Sequence, residues 1–335
     1  MTMSRRLTRH ASAGAAVLAL WALGAVFVVL PVGDGLLRLS YDSLYLFVRQ
    51  QADPGVVIVA LNEKTDRALG RRQGEPFSRA HHAELVERLK SAGCERICYD
   101  ILFDLPSSDS DADEAFRKAI ASHGRVVLGG VLDRSERGIT TLDQIFPPAD
   151  FLRSVSEAWG TLNVEPLDVD GTSRRFGIHY ELGTPFALAA AGVAGPDQAS
   201  GHHGSAPWLQ YTAPPGHYPV FEFSECLDTA ALPDEVFRGK TVFVGGSYST
   251  DEVGHRDAYR TPYSRFGAPD MTGVEWHANA YLNARDQLWL HEESTIRSLL
   301  WCLPLALLGL PIMLNRRPWL NTESVVGVGL GVSIL

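Results

Sequence analysis

Between residues 56 and 103 the hydrophobic pattern changes period twice. Residues 56–61, VVIVAL, are an unbroken apolar run, and residues 97–103, ICYDILF, are a second run broken only by Asp100. Short β-branched or aromatic runs that are apolar on both faces predict strands buried on both sides, as in a parallel sheet. Between them, His82, Leu85, Val86, Leu89 and Ala92 recur at helical spacing and predict one apolar stripe. Ser78 suits the N-cap of that helix and Gly93 a left-handed stop. The unit is a strand–helix–strand crossover, and the pattern continues from it.

Ser110 is placed to cap the next helix, whose stripe is Ala112, Ala115, Phe116, Ala119 and Ile120 before Gly124. Residues 126–131 are a third apolar strand, giving the βαβαβ order of a doubly wound sheet. The rhythm then breaks. Residues 133–141 read as polar loop, and Pro147-Pro148 opens a helix ending near Gly160. Residues 163–167 and 174–182 pair as a hairpin across Asp170-Gly171. Thr184-Pro185 starts an alanine-rich helix, and residues 195–207 are a polar, glycine-rich insertion. Ser224 caps a short helix through Leu227, and residues 241–246 are another buried strand. After a loop to Gly273, Val274, His277, Ala278, Tyr281 and Leu282 mark a last helix. The fold class expected is α/β, a mostly parallel, doubly wound-like sheet with a hairpin insertion, flanked by transmembrane helices.

The flanks come from the two ends. Residues 11–30 carry no charge, enough to cross a hydrocarbon core of roughly 30 Å. Arg5, Arg6 and Arg9 precede them, and Arg316 and Arg317 follow a second apolar segment. The positive-inside rule places both basic ends in the cytoplasm. The organisation expected is therefore a cytoplasmic N-terminus at 1–10 and a transmembrane helix at 11–31. An extracytoplasmic body at 32–294 follows, then a second transmembrane helix at 296–314 and a cytoplasmic loop at 315–323. Residues 324–335 read as the start of a third membrane helix, cut short at Leu335. The lipid bilayer is thus a partner, and the chain is placed in the cell membrane as a multi-pass protein.

Charge and candidate chemistry narrow the function. The net charge is -9, and no basic face with interleaved aromatics is visible, so nucleic acid is not a partner. Cys94, Cys98, Cys226 and Cys302 show no framework spacing and read as separate buried thiols. Asp100 interrupts a run that should be buried, and an unpaired buried carboxylate is costly. Arg79 is its expected partner. Ligands of open α/β sheets bind outside the carboxyl ends of the strands. That edge carries Asn62, Asp100, Asp104, Gly246, Ser247 and Asp257, a set able to take a ligand or a hard cation. Gly239-Lys240-Thr241 is not a phosphate loop, because Asp234 stands where the first glycine is required. His81-His82 and His202-His203 lack a third ligand at metal spacing, and His277 reads as a hydrogen-bonded core residue. Ser247 lacks a nucleophile elbow. No cofactor is expected.

Several motifs in order carry a family resemblance: residues 57–61; Pro76-Phe77-Ser78-Arg79; Asp100-Ile101-Leu102-Phe103; Asp168-Val169-Asp170-Gly171 with Arg174; residues 239–245; and Gly273-Val274-Glu275 with His277-Ala278-Asn279. Over residues 36–290 the chain resembles the CHASE domain of the second type, an extracytoplasmic sensory module of bacterial receptors. It departs from the family pattern in having Asn62 and Thr65 where an aspartate and a serine are usual, and in lacking a tryptophan before the proline turn. The resemblance implies a sensor in the periplasm or outside the cell, an unidentified extracytoplasmic ligand and a homodimer. It also implies a cytoplasmic cyclase or kinase output, which residues 1–335 do not include, so no enzyme activity is expected of them. Two other readings stand beside it: an anchored periplasmic metal-dependent hydrolase using Asp100 and Asp257, and a module that binds an envelope partner.

Overall fold

The structure, a computed structural model, describes residues 3–30, 33–47, 51–72, 75–137, 140–164, 167–177, 183–194, 206–248 and 257–314. It divides into one unit of Met1–Arg49, Gln198–Ser205 and His291–Leu335 and another of Gln50–Asp197 and Ala206–Leu290. The first unit begins with helices α1 (Met3–Val29) and α2 (Asp34–Phe47).

The second unit is built on β1 (Val56–Leu61), every residue of which is buried. Asn62 caps the short α3 (Glu63–Ala68), its side chain accepting from the amides of Lys64 and Thr65. Helix α4 (Arg79–Ser91) starts at Ser78 as its spacing predicts, and His82, Leu85, Val86, Leu89 and Ala92 are all buried. Gly93 takes the left-handed conformation, φ 78°, that ends the helix. Strand β2 (Arg96–Leu102) follows, then α5 (Ser110–His123) and β3 (Val126–Arg137). Helix α5 is capped by Asp109, one residue before the Ser110 expected: the Asp109 carboxylate accepts from Asp111 and Ala112.

The expected loop at 133–141 is instead a ladder. β3 runs on to Arg137 and pairs antiparallel with β4 (Thr140–Phe146). The helix expected after Pro147-Pro148 is only α6 (Asp150–Arg153), followed by a strand, β5 (Ala158–Thr161). Small residues explain that strand. A Cβ on Gly160 would stand 2.6 Å from Phe186 Cα, and one on Gly130 would stand 3.0 Å from the Trp159 ring. Only extended glycine backbone packs this closely. The hairpin expected across Asp170-Gly171 keeps its turn but has a single bridge, Leu167 to Ser173. Residues 165–166 and 178–182, which would extend it, and most of the insertion at 195–207 lie outside the described residues.

Next come α7 (Phe186–Ala191), β6 (Val220–Glu222), α8 (Phe223–Leu227) and β7 (Thr241–Gly246). The loop expected up to Gly273 holds a small ladder of β8 (Ala258–Tyr259) with β9 (Met271–Thr272), after which α9 runs over Gly273–Asp286. The sheet order is β4-β3-β2-β7-β1-β6, with β5 on β3, and it is parallel except for β3–β4. The architecture is mixed α/β with a mostly parallel central sheet, as expected.

Alternation along the strands splits the core in two. Val57, Val59, Ile97, Tyr99, Val242 and Val244 face α4, α5 and α8. Val56, Ile58, Cys98, Val127 and Phe243 face α7 and α9. Full burial of each aliphatic side chain contributes about 1.5–3 kcal/mol. All four cysteines are free and buried. In the first unit, α10 (Thr295–Leu314) packs on α1: Trp21 Nε1 donates to the Leu299 carbonyl at 3.0 Å, and Gly24 lies against Cys302. These helices stand where the membrane spans were expected. Among the described residues, however, no single helix is long and apolar enough to cross a membrane; 14–29 and 34–47 pass only as a bent pair.

Candidate functional site

Register places the site. β7 pairs β1 out to Leu61–Gly246 and β2 out to Asp100–Gly245, so the carboxyl edge brings Asp100, Gly245 and Gly246 together. Asp100 has the parity of Cys98 and points to the α9 face. Its side chain is 7% exposed, and its Oδ2 has no hydrogen-bond partner among the described residues. Burial pushes its carboxyl up to about 7.

Arg79 is not its partner. The Arg79 guanidinium lies on the opposite face of the sheet, 3.7 Å from Asp113 of α5, donating to the Leu105 carbonyl and stacked on Phe103. Asp104 acts electrostatically on Arg79. The reason is parity: α4 covers the face carrying Tyr99, one residue away from the face carrying Asp100. Asn62 is committed to the α3 cap, and Ser247 continues the ladder by donating its amide to the Leu61 carbonyl. Of the site residues expected, Asp257 stands exposed near the buried Asp100, close enough for the Asp100 charge to act on it. Gly246 and Ser247 lie at the same edge as backbone, and Arg79 forms a separate brace with Asp113 and the Leu105 carbonyl.

The neighbours of Asp100 come from α9 and β8. His277 Nε2 is 3.8 Å from Asp100 Oδ1 and 3.1 Å from the Leu162 carbonyl. The shorter contact assigns the ring proton to Nε2, leaving Nδ1 bare and without a partner among the described residues. Burial pushes this imidazole down to about 4. At neutral pH the contact with Asp100 is therefore not an ion pair. Asp257 is exposed to solvent, and desolvation of its carboxyl by the nearby protein, then the Asp100 charge, push it up to about 6. Tyr259 hydrogen-bonds Asp257, and burial followed by the charges of Asp257 and Asp100 raises its phenol.

Two glycines permit this approach. A Cβ on Gly245 would stand 2.9 Å from Val274 Cβ and 3.0 Å from Asp100 Cβ. One on Gly273 would stand 2.3 Å from Asp257 Oδ1. Helix α9 is fixed by a capping box, Thr272 with Glu275, and is buried from Gly273 to Ala284. Asn283 exchanges two bonds with the Gln210 backbone, and Asn279 Oδ1 accepts from the Thr212 amide, while Asn279 Nδ2 has no partner among the described residues.

The Asp168–Arg174 motif braces the same helix. Arg174, 1% exposed, donates to Asp168 at 2.8 Å and to both oxygens of Asp170 at 2.9 Å. That guanidinium holds Asp170 well below the usual carboxylate range. Ser173 accepts from Trp276 Nε1 of α9, and its amide donates to the Arg260 carbonyl. The motif thus holds the β8 segment against α9 and fixes where Asp257 and Tyr259 stand.

The sequence reading missed Tyr259 and the proximity of His277 to Asp100. The stripe spacing of α9 buries His277 but does not say beneath which strand. Among the described residues, no group of three or more His, Cys, Asp or Glu is placed to hold a metal ion. The hard-cation reading of this edge therefore has no ligand set in them. The CHASE2 domain family model matches residues 14–311 of the chain. No curated protein and no solved structure matches it.

Proposed function

The chain belongs to the CHASE2 domain family, whose members are extracytoplasmic sensory domains, and on that premise we propose that it is the sensing part of a bacterial transmembrane receptor. In this reading α1 and α10 lie in the cell membrane and the sheet unit stands outside it. The signal passes from α9 along the chain into α10 and on to a cytoplasmic output domain. The receptor is a homodimer, as the family resemblance implies. A signal can act only by binding one packing of the domain better than another. Helix α9 suits that role, because it is buried nearly throughout and precedes α10 by only a short connection.

The observation that carries this reading is the extent of the family match, which covers the sheet unit and reaches into both flanking apolar helices. The test is topological. Val169 is 90% exposed at the tip of the Asp-Gly turn. In a Val169→Cys chain, an impermeant maleimide should label intact cells or spheroplasts. Labelling that needs lysis of the cell membrane would overturn the reading.

A further inference from the structure

Helix α2 is built inside out. Its buried residues are Ser40, Tyr41, Asp42 and Tyr45, each able to hydrogen-bond. Past its first turn, every residue it exposes is apolar: Leu44, Leu46 at 53% and Phe47 at 83%. A helix on the surface of a water-soluble body shows the reverse order. Leu36, Leu39, Ser43, Leu46 and Phe47 fall on one arc, at i, i+3, i+7, i+10 and i+11. That arc carries no charge. Its one polar side chain needs no water, because Ser43 Oγ donates to the Leu39 carbonyl at 2.7 Å. On the other side, Tyr45 Oη donates to Tyr41 Oη at 3.3 Å. Single exposed apolar residues are ordinary, but a contiguous arc of them marks a surface that meets something other than water.

Where the helix starts decides what it meets. Helix α1 ends at Val29, ahead of Pro31, and helices usually stop at or before the residue preceding a proline. Helix α2 starts at Asp34, and its axis lies 83° from that of residues 14–29. Gly33 keeps the turn tight: its amide donates to the Leu30 carbonyl, and a Cβ there would overlap the Phe27 carbonyl oxygen. With α1 across the membrane, so short a connection starts α2 in the headgroup layer, about 5–8 Å deep outside the hydrocarbon core. Lying nearly at a right angle to α1, it keeps that depth over its length of about 21 Å. Val26, Val29 and Leu30 carry the exposed apolar surface of α1 up to the turn, so the two surfaces are continuous along the chain.

We propose that α2 is an in-plane anchor whose Leu36, Leu39, Leu46 and Phe47 face lies in the outer leaflet, at the boundary between headgroups and acyl chains. This goes beyond the sensor reading and rests on it for the place of α1 in the membrane. Lipid is the occupant because the arc is uncharged. A protein partner is held in register and orientation by complementary charge, and this face offers none. An amphipathic helix at an interface needs only an apolar face at the right depth.

The test is site-directed spin labelling of the whole chain in lipid nanodiscs. The four native cysteines are buried, so an introduced thiol is read selectively. Leu36→Cys and Phe47→Cys lie three turns apart on the same arc. Relative access of oxygen and of a water-soluble nickel complex should place both labels at the same depth, about 5–10 Å below the phosphates. A difference near the axial rise between them, about 16 Å, would make α2 the second half of a bent span and overturn the proposal. Labels as open to nickel as one at Val169→Cys would overturn it in favour of water. Labels shielded from both reagents and coupled between copies would overturn it in favour of a second copy of the chain. Should Leu36→Cys not fold, Leu39→Cys with Leu46→Cys decides, where an upright helix gives about 10 Å. A Val26→Cys label separates this proposal from the sensor reading. Lipid contact at Val26 with α2 in water ends the proposal and leaves the sensor standing. No lipid contact at Val26 would remove the membrane placement of α1, and the sensor reading with it.

Discussion

Two polar clusters touch α9, and they are built on opposite principles. Around Arg174, one guanidinium faces two aspartates, with bonds to them 2.8–2.9 Å long. Around Asp100, a buried carboxyl stands 3.8 Å from a buried imidazole with a shortage of donors, and two atoms are left unpartnered among the described residues. The first cluster has its charge balanced and locks one geometry. The second has no cation opposite its buried carboxyl among the described residues, so its contribution to stability depends on pH with the opposite sign. A satisfied buried network rigidifies; a half-satisfied one is a weak point unless its weakness has a use. Their pH signatures must therefore have opposite signs, and that contrast can be broken by mutation.

The largest effect should come from Arg174→Ala. It removes a guanidinium that is 1% exposed and leaves Asp168 and Asp170, partly exposed, facing each other without their cation, a loss of about 2–3 kcal/mol for the charged hydrogen bonds. Denaturant melts of the variant should show that loss or no folded protein; a loss below about 1 kcal/mol would mean the cluster is no brace.

Asp100→Asn should act in the other direction. Burial raises the Asp100 carboxyl to about 7 in the fold, above its unfolded value. The folded state then binds the proton more tightly, so stability falls as pH rises from about 4 to about 7 and stays low above that. The amide removes this penalty. The variant should gain about 2 kcal/mol at about pH 8 and nothing at about pH 4, read from denaturant midpoints. Destabilisation at high pH would contradict the placement of Asp100.

His277→Gln should reveal an opposing limb. Its imidazole is pushed down to about 4, so the fold resists protonating it, and wild-type stability falls as pH drops from about 6.5 to about 4. That loss partly cancels the gain from Asp100 over the same range. The glutamine variant should lose the cancellation and gain about 1 kcal/mol relative to wild type at about pH 4.5. A thermal melting series against pH checks it, and an unchanged acid limb would place the titration elsewhere.

The smallest effect belongs to Asp170→Asn. Arg174 holds this carboxylate low, so its contribution is present above about pH 4 and lost as pH falls. Asp170 is 35% exposed, so solvent screens the pair and the loss at neutral pH should stay under about 1 kcal/mol. Measured beside Asp100→Asn, it should show the reverse pH sign.

Much of the fold was legible because it rests on periodicity. The β1, α4 and β2 pattern, the left-handed Gly93 and the buried face of α9 follow from residue spacing alone. The errors fell where a different signal governs. β5 exists because glycines at 129, 130 and 160 let backbone and rings approach closely, and no apolar stripe announces that. The β3–β4 ladder crosses residues whose polarity reads as loop. At the site, the depth of Asp100 was legible, because a carboxylate inside an apolar strand is conspicuous. Its partner was not. Arg79 is close in the chain, but strand parity sends it to the other face, and His277 arrives from 177 positions further along through packing that only the folded sheet defines.

The central claim is that Asp100 holds a proton inside the folded domain near neutral pH. Infrared difference spectroscopy of the whole chain between about pH 6 and about pH 8 reads this directly, through the carbonyl stretch of a protonated carboxyl. A protonated-carboxyl band that fades with a midpoint near 7, and is missing in a folded Asp100→Asn chain, is the result expected. No such band at the lower pH, or one that survives in the variant unaltered, would contradict it.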